Sequence, residues 1–247
     1  MHRIEENQIK NTSMIGSECH QIRSQITRLI DFIYGDKGLV VDWNFFDIYG
    51  SVLLYGMPGV GKTTIVMNCI DYALTEYGVD SYTIEASEII VSNLGEATRN
   101  LYEELNRFAK LEQGILFIDE LDRICVNRNN TSEVSELKRM LVELMRFLDS
   151  MSMTSRKLIF ACTNVIEQID PALIRRFSLK HELHVPSMDE KRDFMQLCME
   201  KCGLKRKNIK MQVLEKYQTM DDIKNAFRNE ILNNSLEQYI STIVEGE

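Results

Sequence analysis

The sequence has 247 residues, 27% of them charged and 44% hydrophobic, which is a globular composition rather than that of a disordered chain. No apolar run approaches the roughly 20 residues that cross a bilayer, and Met1-His2-Arg3-Ile4-Glu5-Glu6 has no apolar signal core behind its charges, so a cytoplasmic protein without membrane insertion is expected. A formal net charge of -8 argues against a surface made to hold nucleic-acid phosphates, which needs many Lys and Arg on one face.

In chain order, Ile22, Ile26, Leu29, Ile30 and Ile33 recur at helical spacing and predict an amphipathic helix over residues 17 to 34. Ser51-Val52-Leu53-Leu54-Tyr55 reads as a strand that runs straight into a glycine-rich loop. Val66, Cys69, Ile70, Ala73 and Leu74 then mark a helix from Lys62 to Tyr77, with Gly78 at its stop. Strand followed by helix recurs twice more, as Tyr82 to Glu85 before residues 96 to 111, and Ile115 to Ile118 before residues 133 to 150. Leu158 to Cys162 and His181 to Val185 are the fourth and fifth predicted strands. Such alternation implies an α/β fold whose parallel sheet is covered on both faces. Past Pro186 only helical patterns remain, with Phe194, Leu197 and Cys198 in one and Ile223, Phe227 and Ile231 in the next. The expected division is therefore an α/β domain over residues 1–186 and a small helical domain over 187–247.

Several features have bland readings. The six cysteines, Cys19, Cys69, Cys125, Cys162, Cys198 and Cys202, lack a paired spacing and suit buried free thiols. Cys198 and Cys202 share a helix face, but no Cys or His lies near them in sequence to complete a metal shell. Lys205-Arg206-Lys207 with Lys210 reads as a solvated loop.

Chemistry concentrates elsewhere. Gly56-Met57-Pro58-Gly59-Val60-Gly61-Lys62-Thr63 has the spacing of a phosphate loop and sits between a buried strand and a helix N-terminus, where backbone N–H groups can turn inward around phosphates. Lys62 is expected to neutralise β and γ phosphates, the Thr63 hydroxyl to ligate Mg²⁺, and Thr64 to complete the nucleotide-binding set. The apolar strand Ile115 to Ile118 ends in Asp119-Glu120, placing both carboxylates at the edge where open α/β sheets bind ligands. Asp119 is expected to order the metal and Glu120 to polarise the attacking water. Leu158-Ile159-Phe160-Ala161-Cys162-Thr163-Asn164 is another buried strand with a polar end, and the Asn164 amide can hold the same water. Asp170-Pro171-Ala172-Leu173-Ile174-Arg175-Arg176-Phe177 reads as a short helix with an acidic cap, a proline start and two cations in its last turn.

Taken as a series, Gly56 to Thr63, Asp119-Glu120, Thr163-Asn164 and Asp170 to Phe177 resemble the AAA ATPases over roughly residues 14 to 235, and the Arg-Arg-Phe ending is most similar to the spastin and katanin group, an arrangement that bacterial and phage members share. The resemblance implies a five-stranded nucleotide domain with a helical lid and ATP held at the subunit interfaces of a hexameric ring. It also implies Ile15-Gly16 beside the adenine, Asn164 as first sensor, and Arg175 and Arg176 as fingers reaching the neighbour's ATP. Two departures stand out. Asn93, in Ser92-Asn93-Leu94-Gly95-Glu96, occupies the place of the aromatic residue that grips polypeptide in threading members. Thr219-Met220-Asp221-Asp222 replaces a glycine-containing turn, leaving Lys224 and Arg228 as candidates for a second sensor.

The functional expectation is an ATP hydrolase that assembles into a homo-oligomeric ring and changes the conformation of a protein partner. Only about a dozen residues precede Met14-Ile15-Gly16, so the partner is expected to be recognised by the ATPase body or through a separate protein. The alternative is an ATP-gated switch controlling a separately encoded protease or nuclease, which Asn93 favours. A DNA-loading helper loses to the acidic charge.

Overall fold

The computed structural model describes residues 1–9, 13–35, 41–85, 89, 96–125 and 131–244. Its described residues divide into two compact units, one of residues 1–13, 21–56 and 62–182, the other of residues 14–20, 57–61 and 183–247.

The first unit is built on a six-stranded sheet: β1 (His2–Arg3), β2 (Ser51–Gly56), β3 (Ser81–Ile84), β4 (Gly114–Ile118), β5 (Lys157–Thr163) and β6 (Leu179–Leu183), in the order β1-β3-β4-β5-β2-β6. The pairs β3/β4, β4/β5 and β2/β5 are parallel. In β4 all five residues are buried, as a strand covered on both faces requires. The expected second and fourth strands lie within a residue of their predicted bounds, whereas the fifth starts two residues earlier than predicted, at Leu179.

The sheet also gains a strand beyond the five predicted. His2 and Arg3 run antiparallel to β3, opposite Thr83 and Tyr82, and the Ile4 N–H donates to the Ser81 carbonyl at 2.8 Å. Two exposed polar residues carry no alternation, so nothing in the sequence announces this strand; it is made by the unpaired backbone groups that a sheet edge offers.

Helices Ser17–Tyr34 and Lys62–Tyr77 keep their predicted bounds, and Glu96–Ala109 and Thr131–Asp149 lie within two residues of theirs. Leu101, Leu105 and Phe108 of one and Met140, Leu144 and Leu148 of another are buried in a single core with Leu53, Leu116 and Ile159 of the sheet. Each fully buried side chain of this kind contributes about 1.5–3 kcal/mol.

The second unit is helical, with Met188–Lys201, Met211–Leu214, Met220–Leu232 and Leu236–Ile243 around Met195, Met199, Leu214, Ile223, Phe227 and Ile240. Two capping boxes, Ser187 with Glu190 and Thr219 with Asp222, start its longer helices. No helix of the described residues is long and apolar enough to cross a membrane.

Candidate nucleotide site

Strand order decides which side chains meet. β2 lies beside β5 with Tyr55 opposite Thr163, and β4 lies on the other side of β5 with Ile118 opposite Ala161. Because these pairs are parallel, the chain leaves the sheet at one edge after each strand, delivering Gly56, Asp119-Glu120 and Asn164 together.

At that edge Lys62 opens the helix that follows β2, is 7% exposed, and donates from Nζ to the Gly56 carbonyl at 2.7 Å. Burial lowers its pKa, while Cys162, Asp119 and Asp122 act the other way. One residue on, the Thr63 hydroxyl donates to Asp119 Oδ2 at 3.3 Å. A hydroxyl and a carboxylate side by side are the hard oxygen donors that Mg²⁺ selects, so these residues fit that ion. Thr64 is half-buried in the same first turn.

Glu120 holds a left-handed backbone, φ +51°, rare for a non-glycine residue and costing about 1–3 kcal/mol unless the surroundings enforce it. Its N–H donates to Asp119 Oδ1 at 2.8 Å, and its carboxylate pairs with Arg123 at 2.8 Å. The side chain is thus held at the sheet edge, partly open to solvent.

Sequence reasoning passed over Asp122. Its Oδ1 accepts the Thr163 hydroxyl at 2.7 Å and the Asn164 N–H at 3.3 Å, so one carboxylate fixes the end of β5 from which Asn164 projects. Its partners are 41 and 42 residues away, and no local spacing marks such a contact.

In the segment after β5, Asp170 Oδ1 caps the helix Pro171–Ile174 by accepting the Ala172 N–H at 2.7 Å. Arg176 turns back into its own chain, donating from Nε to Asp149 Oδ1 at 2.7 Å and from a terminal nitrogen to the Ala172 carbonyl at 2.7 Å. Arg175 is exposed, and its guanidinium has no hydrogen bond or ion pair among the described residues.

Ile15, Gly16 and the loop residues Pro58, Gly59, Val60 and Gly61 belong to the second unit. Gly59, at φ +79°, is required twice over: a Cβ there would stand 2.8 Å from Thr219 Oγ1 and 3.1 Å from Asp221 Cβ. Gly16, at φ +103°, lies against Glu190, whose Oε1 would be 2.5 Å from an added Cβ. Gly56 and Gly61 also have positive φ, and Val60 is buried. Lys224 and Arg228 are exposed on the helix Met220–Leu232. Asn93 with Ser92, Leu94 and Gly95 lies outside the described residues.

The chain is 31% identical over 158 residues to a 26S proteasome regulatory subunit 6B homolog of Aspergillus niger, covering 60% of this chain and 36% of that one. It is 31% identical over 147 residues to the ATPase family gene 2 protein of Saccharomyces cerevisiae, covering 59% and 18%. To the 26S proteasome regulatory subunit 6B homolog of the same yeast it is 30% identical over 145 residues, covering 58% and 33%. The chain thus spans little more than a third of the length of these relatives, or less. The model of the ATPase family associated with various cellular activities (AAA) matches residues 52–185, more than half of the chain. With that match over more than half of its length, the chain belongs to the AAA family of ATPases.

Proposed function

We propose that this AAA ATPase assembles into a homo-oligomeric, hexameric ring in the cytoplasm and uses ATP hydrolysis to rearrange a protein partner. The observation that carries the reading is the Lys62, Thr63, Asp119 and Glu120 cluster at the carboxyl edge of the sheet. The loop Gly56–Thr64 binds the triphosphate, with Lys62 placing its ammonium against the phosphate oxygens. Thr63 and Asp119 hold Mg²⁺, which when bound neutralises charge on those oxygens. Glu120 accepts the proton of the attacking water, and Asn164, steadied by Asp122, orients that water. Arg175 serves an ATP in the adjoining subunit while Arg176, bound to Asp149, fixes the segment that carries it, and Ile15 and Gly16 border the adenine. On this reading residues 1–186 are the nucleotide domain and 187–247 its helical lid. Support for the protein partner comes from the likeness to proteasome regulatory subunits.

The test is paired. Glu120→Gln protein should retain ATP and co-purify with its partner, whereas Lys62→Ala protein should do neither. Equal hydrolysis rates for Glu120→Gln and the natural protein would remove Glu120 from its role. An ATP-gated switch for a separately encoded effector remains the second reading, favoured by Asn93 where an aromatic grip is expected; an effector captured by Glu120→Gln and released intact on hydrolysis would select it.

A further inference from the structure

The loop from Gly56 to Thr63 has an aspartate packed against it. Residues 57–61 of the loop and residues 183–247 fall in one compact unit, so contacts between them are internal to that unit. The first turn of the helix Met220–Leu232 approaches Gly59 so closely that an added Cβ would stand 3.1 Å from Asp221 Cβ and 2.8 Å from Thr219 Oγ1. Asp221 therefore lies within a side chain's length of backbone that is read as a phosphate cradle.

Two aspartates open that helix, and they are met differently. Asp222 Oδ2 accepts the Thr219 N–H at 2.8 Å, the Thr219 hydroxyl at 3.0 Å and the Gln218 N–H at 3.0 Å, and these bonds, with the Lys191 charge, draw its pKa down. The same bonds fix the turn that carries Asp221. Asp221 Oδ2 accepts from the neutral Asn225 side chain at 3.2 Å, and Asp221 makes no ion pair among the described residues, although Lys224 is three residues on. A helix dipole favours an acid in the first turn, and Asp222 already meets that need. Asp221 leaves an uncompensated negative charge beside the loop. Exposed like charges repel over about 10 Å at 0.1 M salt.

We propose that Asp221 is a charge brake on nucleotide retention: its carboxylate, held beside Gly59 by the capped turn, repels phosphates bound on the loop, lowers the affinity for ATP and ADP, and speeds their release. The inference rests on the phosphate-loop reading of the preceding section. A cradle of inward N–H groups with a lysine favours the product diphosphate as well as the substrate. A negative charge close by shortens the time for which spent ADP occupies the site.

Nucleotide titration at low and high salt tests this, in a Glu120→Gln background so that ATP is not consumed. At about 0.05 M salt, Asp221→Asn protein should bind ATP about threefold more tightly than its parent and release a fluorescent ADP analogue correspondingly more slowly. At about 0.5 M salt the charge is screened, and the two proteins should differ by less than about 1.5-fold. Asp221→Glu keeps the charge and should match the parent at both salts. Asp221 is exposed, so unfolding without nucleotide should shift little for either variant. Equal affinities for Asp221→Asn and its parent at low salt would overturn the inference and leave the phosphate-loop reading standing. Weaker binding would also overturn it and make Asp221 a ligand of the nucleotide. A gain that persists at high salt, or that Asp221→Glu shares, would replace charge with shape as the cause and overturn it equally. A folded parent that binds no ATP at either salt would overturn the phosphate-loop reading as well.

Discussion

A lysine ammonium is costly to bury unless an acceptor meets it, and Lys62 meets the Gly56 carbonyl. Replacing it with alanine removes a hydrogen bond to a charged group, worth about 1.5–3 kcal/mol, so ATP affinity should fall at least about tenfold by calorimetry. Glu120 is different in kind. Its carboxylate pairs with the exposed Arg123 rather than with a buried group, so Glu120→Gln should leave the fold and ATP binding intact. Turnover should drop by about 10² to 10⁴, the usual contribution of a positioned general base. The same ATP titration and a phosphate-release assay check both outcomes.

At the scale of elements, Asp122 holds the end of β5 against the start of the helix Leu121–Cys125. Asp122→Ala frees the Thr163 hydroxyl and the Asn164 N–H, so kcat should fall by about tenfold, the low end of a charged hydrogen bond, with ATP affinity near normal. A parallel fall in affinity would mean that the loop after β2 had moved as well. β6 supplies a pH test. Burial lowers the pKa of His181 below its ordinary 6.5, and its Nε2 is buried without a hydrogen-bond partner among the described residues. Below 6.5 the unfolded chain takes up the proton before the folded one, so stability present above that value is lost as pH falls through it. His181→Gln should flatten the decline of the unfolding temperature between pH 7.5 and about 5.5. Much of this architecture was legible. β4 and β5 are unbroken apolar runs, and the loop from Gly56 to Thr63 announces the strand before it and the helix after it. What was not legible depends on distant partners: β1 exists because β3 has a free edge, and Asp122 matters because the β4 and β5 registers bring Thr163 within reach. Likewise, no spacing shows that Arg176 is taken up by Asp149 while Arg175 is not.

For the whole molecule, that last contrast separates two roles that a pair of adjacent arginines would otherwise share. Arg176 spends its guanidinium on Asp149 and the Ala172 carbonyl, which fixes the segment, whereas Arg175 stays exposed. On the proposed ring, Arg175 is then the residue expected to reach a neighbour's ATP, where an arginine supplied in trans is worth about 10³ to 10⁵ in rate. Arg176 positions it. Asp149→Ala should therefore reproduce most of the loss caused by Arg176→Ala, since either change releases the same segment. If Asp149→Ala hydrolyses ATP normally while Arg176→Ala does not, Arg176 acts on the substrate directly. The role of Arg175 is tested by mixing. Arg175→Ala and Lys62→Ala proteins should each be nearly inactive, one lacking the finger and the other the phosphate loop. In an equimolar co-assembly about a quarter of interfaces join an intact loop to an intact finger, because each partner is suitable half of the time in a closed ring with one interface type. Activity should return to about a quarter of the natural rate if interfaces act independently, and activity of the natural protein should rise more than linearly with its concentration. Mixtures that co-assemble and stay inactive would show that Arg175 serves its own subunit or none.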